Sequence, residues 1–334
     1  MARITIVSRT VGASVLGASI VALAIELSIR IFCPEIPEIG TTRILVVDAL
    51  YGMTDGLRPD ATGVSDGAPV SVNSMGFWRY SAVADSGAPG WLILGDSVTM
   101  GVGVDPDSTF IGRIAKALRT YTVCNASWLG YSSADYLNVL RGRLALRSFR
   151  PGPSIKRVTV FWTLNDVYSN QPFGRQPGTL VRTYGGTVMT FIARHVRTYQ
   201  WLKGILFDRP LEYYQFDRPF YNPQGDHFRS CVSDLQAIAS ICRQSGAILD
   251  IVLLPYEYQL RAGVEDYLPQ RMMTQVADRL GIRCWDASRA LRDSGVEPRR
   301  LFRFGDGIHF SREGHRVLFA ALRKLYSSPE AHAK

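Results

Sequence analysis

Two short segments far apart in the chain carry side chains that together could make a nucleophilic site: Gly95-Asp96-Ser97, and Asp306-Gly307-Ile308-His309. A serine hydroxyl is a poor nucleophile at neutral pH. It becomes a useful one when an imidazole takes its proton and a carboxylate fixes that imidazole's tautomer. Ser97 supplies the hydroxyl, His309 the base and Asp306 the carboxylate. Each motif alone also reads as a turn with a capping side chain, so the weight falls on where each one sits. Trp91-Leu92-Ile93-Leu94 is an apolar run stopped by Gly95, which predicts a buried parallel strand delivering Ser97 at its carboxyl end.

Attack on an ester carbonyl leaves an oxyanion, which needs N–H donors already in place. Two further segments could offer them, Asn125-Ala126-Ser127-Trp128-Leu129-Gly130-Tyr131-Ser132-Ser133 and Phe161-Trp162-Thr163-Leu164-Asn165-Asp166. Each follows an apolar strand candidate, with Gly130 offering a backbone N–H and Asn165 a side-chain amide. With all four segments in order, residues 70 to 326 resemble the SGNH (GDSL) hydrolase superfamily. The resemblance implies Ser97 as nucleophile, His309 as general base and Asp306 as its orienter. It also implies an oxyanion hole from the Ser97 N–H, the Gly130 N–H and the Asn165 side chain. One position departs from the pattern: the family usually has glycine two residues before the asparagine, where this chain has Thr163. The stretch Val72-Asn73-Ser74-Met75-Gly76-Phe77-Trp78-Arg79 is similar to a lead-in found in membrane-attached members.

These groups need elements to hold them. Strand candidates at 91–95, 121–125, 157–163, 247–254 and 282–286 alternate with periodic helices. Leu137, Leu140 and Leu144 form one helical stripe, ended by Pro151; Phe228, Val232, Leu235, Ala239 and Cys242 form another, ended by Gly246. Met272, Val276 and Leu280 close before Gly281, and Val317, Ala321, Leu322 and Leu325 run toward Pro329. The alternation predicts a three-layer α/β/α fold around a parallel sheet, five-stranded and flavodoxin-like by the same resemblance, with ligands at the carboxyl ends of the strands. Residues 167–226 interrupt the pattern with an aromatic-rich insertion that includes Phe173 and Tyr184. Within it, Met189 to Phe207 reads as one basic amphipathic helix, able to line the site, rest on a membrane or pack locally.

At the amino terminus, Thr10 to Ile25 carries no charge and the apolar character continues through Ile29, Ile31 and Phe32. Such a stretch can cross a bilayer if Glu26 and Arg30 lie near the far interface, where they could pair at i, i+4. A cleaved signal peptide, an uncleaved anchor and a buried helix all pass this test. The absence of a small-x-small site after the run favours the anchor. Arg3 and Arg9 before the span, against Glu35 and Glu38 after it, put the amino terminus in the cytoplasm. The expected localisation is the cell inner membrane, single-pass, with the catalytic domain periplasmic or extracellular. The expected division is an anchor over 1–33, a linker and edge segment over 34–90, starting with a linker at 34–40 and a short strand at 43–47, and a catalytic domain over 91–328.

With 334 residues and 46% hydrophobic content the chain can bury a full core. Its net charge of +9 comes mostly from arginine, with neither a clustered basic face nor a known module, so no nucleic acid is expected. Five cysteines, at 33, 124, 231, 242 and 284, lack metal-type spacing. Cys124 and Cys284 read as core residues, Cys231 and Cys242 are too far apart on one helix to bridge, and no disulfide is expected. Gly101-Val102-Gly103 lacks the lysine of a phosphate loop and reads as flexible backbone, His315 as a capping or packing group, and Asp96 and Asp166 as acceptors for their own turns. No metal or cofactor is expected. The sequence therefore predicts a serine esterase acting through an acyl-enzyme on a small-molecule or glycan acyl ester, such as a cell-envelope glycan or lipid ester. An O-acyltransferase of envelope polysaccharide and a non-catalytic carbohydrate-binding protein are the alternatives.

Overall fold

A computed structural model describes residues 2–33, 36, 39–46, 54, 56–146, 152–168 and 191–327. The linker read at 34–40 is described only in part. Val47, the side chain of Leu144, Pro151, Phe173, Tyr184, Met189 and Pro329 fall outside the described residues.

The sheet follows from the apolar runs. Strands β5 (Gly90–Gly95), β6 (Thr122–Asn125), β7 (Ile155–Trp162), β8 (Ile248–Leu253) and β9 (Arg283–Asp286) pair in the order β6-β5-β7-β8-β9, every pair parallel. All five lie within two residues of the ranges read from sequence. Helix α1 (Ala2–Phe32) and two short antiparallel pairs precede them: β1 (Leu45–Val46) with β2 (Gly56–Leu57), and β3 (Thr62–Ser65) with β4 (Ala68–Ser71). The β3–β4 turn is Asp66-Gly67 with φ of 45° and 88°, the pair of left-handed positions that a two-residue hairpin demands.

Alternation along the strands builds the two faces. Leu92 and Leu94 of β5, Val158 and Val160 of β7, and Ile251 and Leu253 of β8 point into one core. It is closed by α4 (Ser133–Leu146), α7 (Asp226–Ser245) and α9 (Leu268–Leu280). Trp91, Ile93, Phe161 and Val252 point the other way, under α3 (Phe110–Ala117), α10 (Ser288–Arg292) and α12 (Arg312–Ser327). Each fully buried large apolar side chain contributes about 1.5–3 kcal/mol. Both faces are covered, which is why the strands read as continuous apolar runs rather than alternating ones.

The helix stops lie where glycine was read: Gly246 and Gly281 cap α7 and α9 with φ of 65° and 66°. The α9 stripe is turned by one residue from the reading, since Met273, Val276 and Ala277 are buried while Met272 and Leu280 are only half-buried. Cys231 and Cys242 are both buried on α7, Cys124 is buried in β6, and Cys284 is half-buried. The five strands run 2-1-3-4-5 in chain order, so the sequence reverses direction between β5 and β7, and ligands of such sheets bind in the crevice beyond that point.

Candidate active site

Ser97 stands where β5 ends. Asp96 leaves the strand with extended dihedrals and its Oδ1 accepts the Val98 N–H at 2.9 Å, capping the four-residue helix α2 (Ser97–Met100) that begins with the serine. A β-carbon on Gly95 would lie 2.1 Å from Thr99 Oγ1, so the strand can pass this close to the helix only through a glycine. Gly101 then caps α2 with φ 80°. The Gly101-Val102-Gly103 segment, read as flexible backbone, forms a turn with φ of 80° at Gly101 and 76° at Gly103. Val102 is buried, and the space beside Gly103 is filled by the Arg303 guanidinium, which donates to Asp66 Oδ2 at 2.8 Å.

The carboxy-terminal segment reaches Ser97 across the top of the sheet. It leaves α11 (Pro298–Leu301) and is pinned by a bridge between Phe302 and Phe310 and by the Arg303 N–H donating to the His309 carbonyl at 2.9 Å. Asp306 Oδ1 accepts the N–H groups of Ile308 and His309 at 2.9 and 2.8 Å, and its carboxylate lies 2.9 Å from His309 Nδ1. His309 Nε2 lies 2.9 Å from Ser97 Oγ. With Nδ1–H committed to the carboxylate, Nε2 is the acceptor and faces the serine hydroxyl. Ser97 Oγ is also 3.4 Å from Asp96 Oδ2, the longer of its two polar contacts.

Charge follows from the same geometry. Low-dielectric surroundings alone would push the His309 imidazole down, but the adjacent Asp306 charge and hydrogen bond outweigh them and hold its pKa above the ordinary value. Burial alone would raise Asp306; the facing imidazole and the guanidiniums of Arg303 and Arg209 keep it well below the usual carboxylate range. Asp96 and Asp166 go the other way. Burial raises both, and for Asp166 the nearby Asp96 adds to the rise.

Asn165 lies in a single 3-10 turn, 164–167, directly after β7, the strand next to β5. Its Nδ2 donates to Asp96 Oδ2 at 3.3 Å and its Oδ1 accepts from the Tyr256 hydroxyl at 3.2 Å. An amide nitrogen carries two hydrogens, so one remains for a substrate oxygen. The unusual Thr163 has a use of its own: its hydroxyl donates to Asp96 Oδ1 at 3.2 Å, and its N–H donates to Asp166 Oδ2 at 2.8 Å, closing the turn. Gly130 lies in the loop between β6 and α4 with φ 73°. The Trp128 N–H donates to the Gly95 carbonyl at 3.4 Å, drawing that loop over the end of β5.

Several supports are invisible in the sequence motifs. The Tyr256 hydroxyl also bonds Asp217, whose other oxygen accepts from Tyr168 at 2.7 Å; burial lifts Asp217 to about 6. These three residues come from three separate segments, and nothing in their spacing could have joined them. Trp78, in the stretch read as a lead-in, stacks on Trp128 with centroids 5.9 Å apart and donates its indole N–H to the Ser127 carbonyl at 2.8 Å, so that stretch underlies the Gly130 loop. His315 packs as expected: its Nδ1 accepts the Phe110 N–H at 3.2 Å, its ring stacks on Phe110, and burial pulls its pKa to about 3.

The insertion meets the loop that carries Asp306 and His309 directly. Its helices are α5 (Arg197–Leu206) and α6 (Arg209–Asp217), after a helical stretch over 191–195. The single amphipathic helix read from Met189 to Phe207 is broken at Val196. The cause is Glu26 of α1, whose carboxylate accepts the N–H groups of Arg197 and Thr198 at 3.0 and 2.9 Å and starts a new helix there. Gly204 of α5 packs on Gly305 so closely that a β-carbon on Gly305 would lie 2.7 Å from the Gly204 Cα. Arg209 donates to the Gly305 carbonyl at 3.1 Å, and Pro210 sits against Gly307.

The model of the GDSL-like lipase/acylhydrolase family matches residues 93–317. Among solved structures, the chain is similar to TesA, at 17% identity and a TM-score of 0.42, over 71% of this chain and 98% of that one. It is similar to the lipase/acylhydrolase from Enterococcus faecalis at 16% identity and 0.40, over 71% and 95%. The acetyl xylan esterase AlAXEase matches at 16% identity and 0.41, over 70% and 98%. Among curated proteins none matches.

Proposed function

The chain belongs to the GDSL-like lipase/acylhydrolase family, a family of ester hydrolases, and on that premise we propose that it cleaves esters with Ser97, His309 and Asp306 as its catalytic triad. The observation that carries the reading is the continuous line from Ser97 Oγ to His309 Nε2 at 2.9 Å and from His309 Nδ1 to Asp306 at 2.9 Å. His309 takes the serine proton as Oγ attacks the ester carbonyl carbon. The oxyanion that forms is met by the N–H groups of Ser97 and Gly130 and by the free hydrogen of Asn165 Nδ2. Collapse breaks the acyl C–O bond, and the imidazolium returns its proton to the departing alcohol. A water then repeats the sequence on the acyl-enzyme and releases the acid.

The substrate we favour is a cell-envelope glycan or lipid ester, and α1 is read as a single-pass anchor in the cell inner membrane with residues 91–328 as a periplasmic or extracellular catalytic domain and 34–90 packed on it. Among the described residues one helix, Ser14–Phe32, is long and apolar enough to cross a bilayer or to serve as a signal sequence. The anchor is favoured over a cleaved signal peptide by Glu26, whose carboxylate is committed to the N–H groups and hydroxyl of α5 and would leave them unpaired if removed. Acyl transfer to an envelope polysaccharide uses the same triad with a second alcohol in place of water. Hydrolysis of nitrophenyl esters of graded chain length by the full-length protein tests the reading. Turnover that vanishes in Ser97→Ala is expected; turnover unchanged in that variant would refute it.

A further inference from the structure

Helix α5 has two unlike faces. Gly204 packs on Gly305 and marks the side turned to the loop of Asp306 and His309, and Gln200, four residues earlier on the same side, is buried. On the opposite side stand Leu202, Ile205 and Leu206 at spacing i, i+3, i+4, exposed by 43, 56 and 68%, followed by Phe207 at 55%. Phe191, in the preceding helical stretch, is exposed by 59%. A row of large apolar side chains on the outside of a helix is a surface in search of an apolar medium.

The contacts of α1 say which medium. Glu26 takes the N–H groups of Arg197 and Thr198 and the Thr198 hydroxyl, and Arg30, which pairs with Glu26 at 2.8 Å, donates to the His195 carbonyl at 2.6 Å. Helix α5 is thus fixed to the one element among the described residues that is long and apolar enough to cross a bilayer. At ~1.5 Å per residue, Glu26 lies about 9 Å short of the helix end at Phe32. Helices that lie in the plane of a membrane bury their apolar face roughly 5–10 Å into the headgroup boundary, the same depth. The carboxylate is also fully engaged, as an ionisable group at that depth must be. Lys203 of α5, with Arg194 in the stretch before it, suits this face to anionic headgroups.

We propose that α5 is a second membrane contact: it lies in the interface of the bilayer that α1 spans, with Leu202, Ile205, Leu206 and Phe207 among the acyl chains. The loop carrying Asp306 and His309, packed on the other side of α5 through Gly204 and Gly305, is then separated from the bilayer by one helix, about 10 Å. The site accordingly takes esters presented from that leaflet rather than from bulk solution. This inference rests on the anchor and esterase readings above.

The test uses the full chain reconstituted into vesicles of phosphatidylethanolamine and phosphatidylglycerol with a trace of phospholipid bearing a diazirine on its acyl chain. After irradiation, cross-linked peptides are located by mass spectrometry. Cross-links across 202–207 as well as along α1 are expected, roughly tenfold denser than at Val83, a valine exposed by 73% elsewhere on the surface, and Leu206→Glu is expected to lose those in α5. Lipid cross-links confined to α1, or protein–protein cross-links at 202–207, would overturn the proposal. Hydrolysis of a long-chain nitrophenyl ester dissolved in the same vesicles reads the esterase activity separately, so a failed membrane contact and a failed catalytic reading give different results.

Discussion

At the scale of the residue, the serine, the imidazole and the acid were legible because their chemistry forces them into short local motifs. Gly95 must be glycine for β5 to reach Ser97, and Asp306 can orient His309 because it already caps the turn that carries it. The supports of Asn165 were not legible. Tyr256, Asp217 and Tyr168 meet only after the chain has folded, and Thr163 stands where the motif leads one to expect glycine. Its hydroxyl on Asp96 shows that a side chain there need not disturb the turn. Two predictions belong here. In the proposed mechanism the base, His309, works only when neutral, and Asp306 raises its pKa, so kcat/KM should climb with pH through a value above the ordinary 6.5 and fall as acid protonates His309. In Asp306→Asn that limb should move to lower pH while the plateau rate drops by roughly ten-thousandfold, as measured by a pH–rate profile. Asn165→Ala should lower kcat by roughly a hundredfold or more in steady-state assays if its free hydrogen meets the oxyanion; an unchanged kcat would remove it from that role.

At the scale of the element, the strands announced themselves as apolar runs because both faces of the sheet are covered, and the helices by their stripes and glycine stops. What periodicity could not show is which helix touches which. The break at Val196 is the clearest case: within its own segment the stretch reads as continuous, and only Glu26, 171 positions before the Arg197 N–H it accepts, divides it. The close approach of α5 to the loop of Asp306 and His309 likewise depends on two glycines that no local pattern pairs. Gly305→Ala would set a β-carbon 2.7 Å from the Gly204 Cα at a φ of 64°, which should cost about 1–3 kcal/mol. Thermal unfolding should show Tm lowered by several degrees, with kcat falling as the loop shifts; an unchanged Tm would mean that α5 yields freely. At the opposite end of the sheet Asp250 of β8 accepts from Arg157 of β7 at 2.7 Å and from Arg283 of β9 at 2.6 Å. Removing a buried carboxylate from such a group is expensive, so Asp250→Ala should destabilise the fold by about 3–5 kcal/mol in denaturant titrations. The triad lies at the other end of the strands, so kcat of the folded fraction should be kept.

At the scale of the whole molecule, the fold does one thing for the chemistry: it brings the ends of β5, β6 and β7 and a carboxy-terminal loop to one rim, at the point where the strand order reverses. The sequence revealed that gathering through the order of its motifs. It did not reveal that an amino-terminal helix reaches the same rim through α5, because the contact is made by one carboxylate on backbone N–H groups, and backbone donors leave no mark in a sequence. The central claim remains the activation of one hydroxyl by one imidazole. Its most direct test is to treat the folded full-length protein with a fluorophosphonate and find the adduct by peptide mass spectrometry. The account predicts a single adduct on Ser97, absent in Ser97→Ala and slowed by orders of magnitude in His309→Ala. A folded wild-type protein that stays unlabelled, or that carries the adduct on another serine, would contradict it.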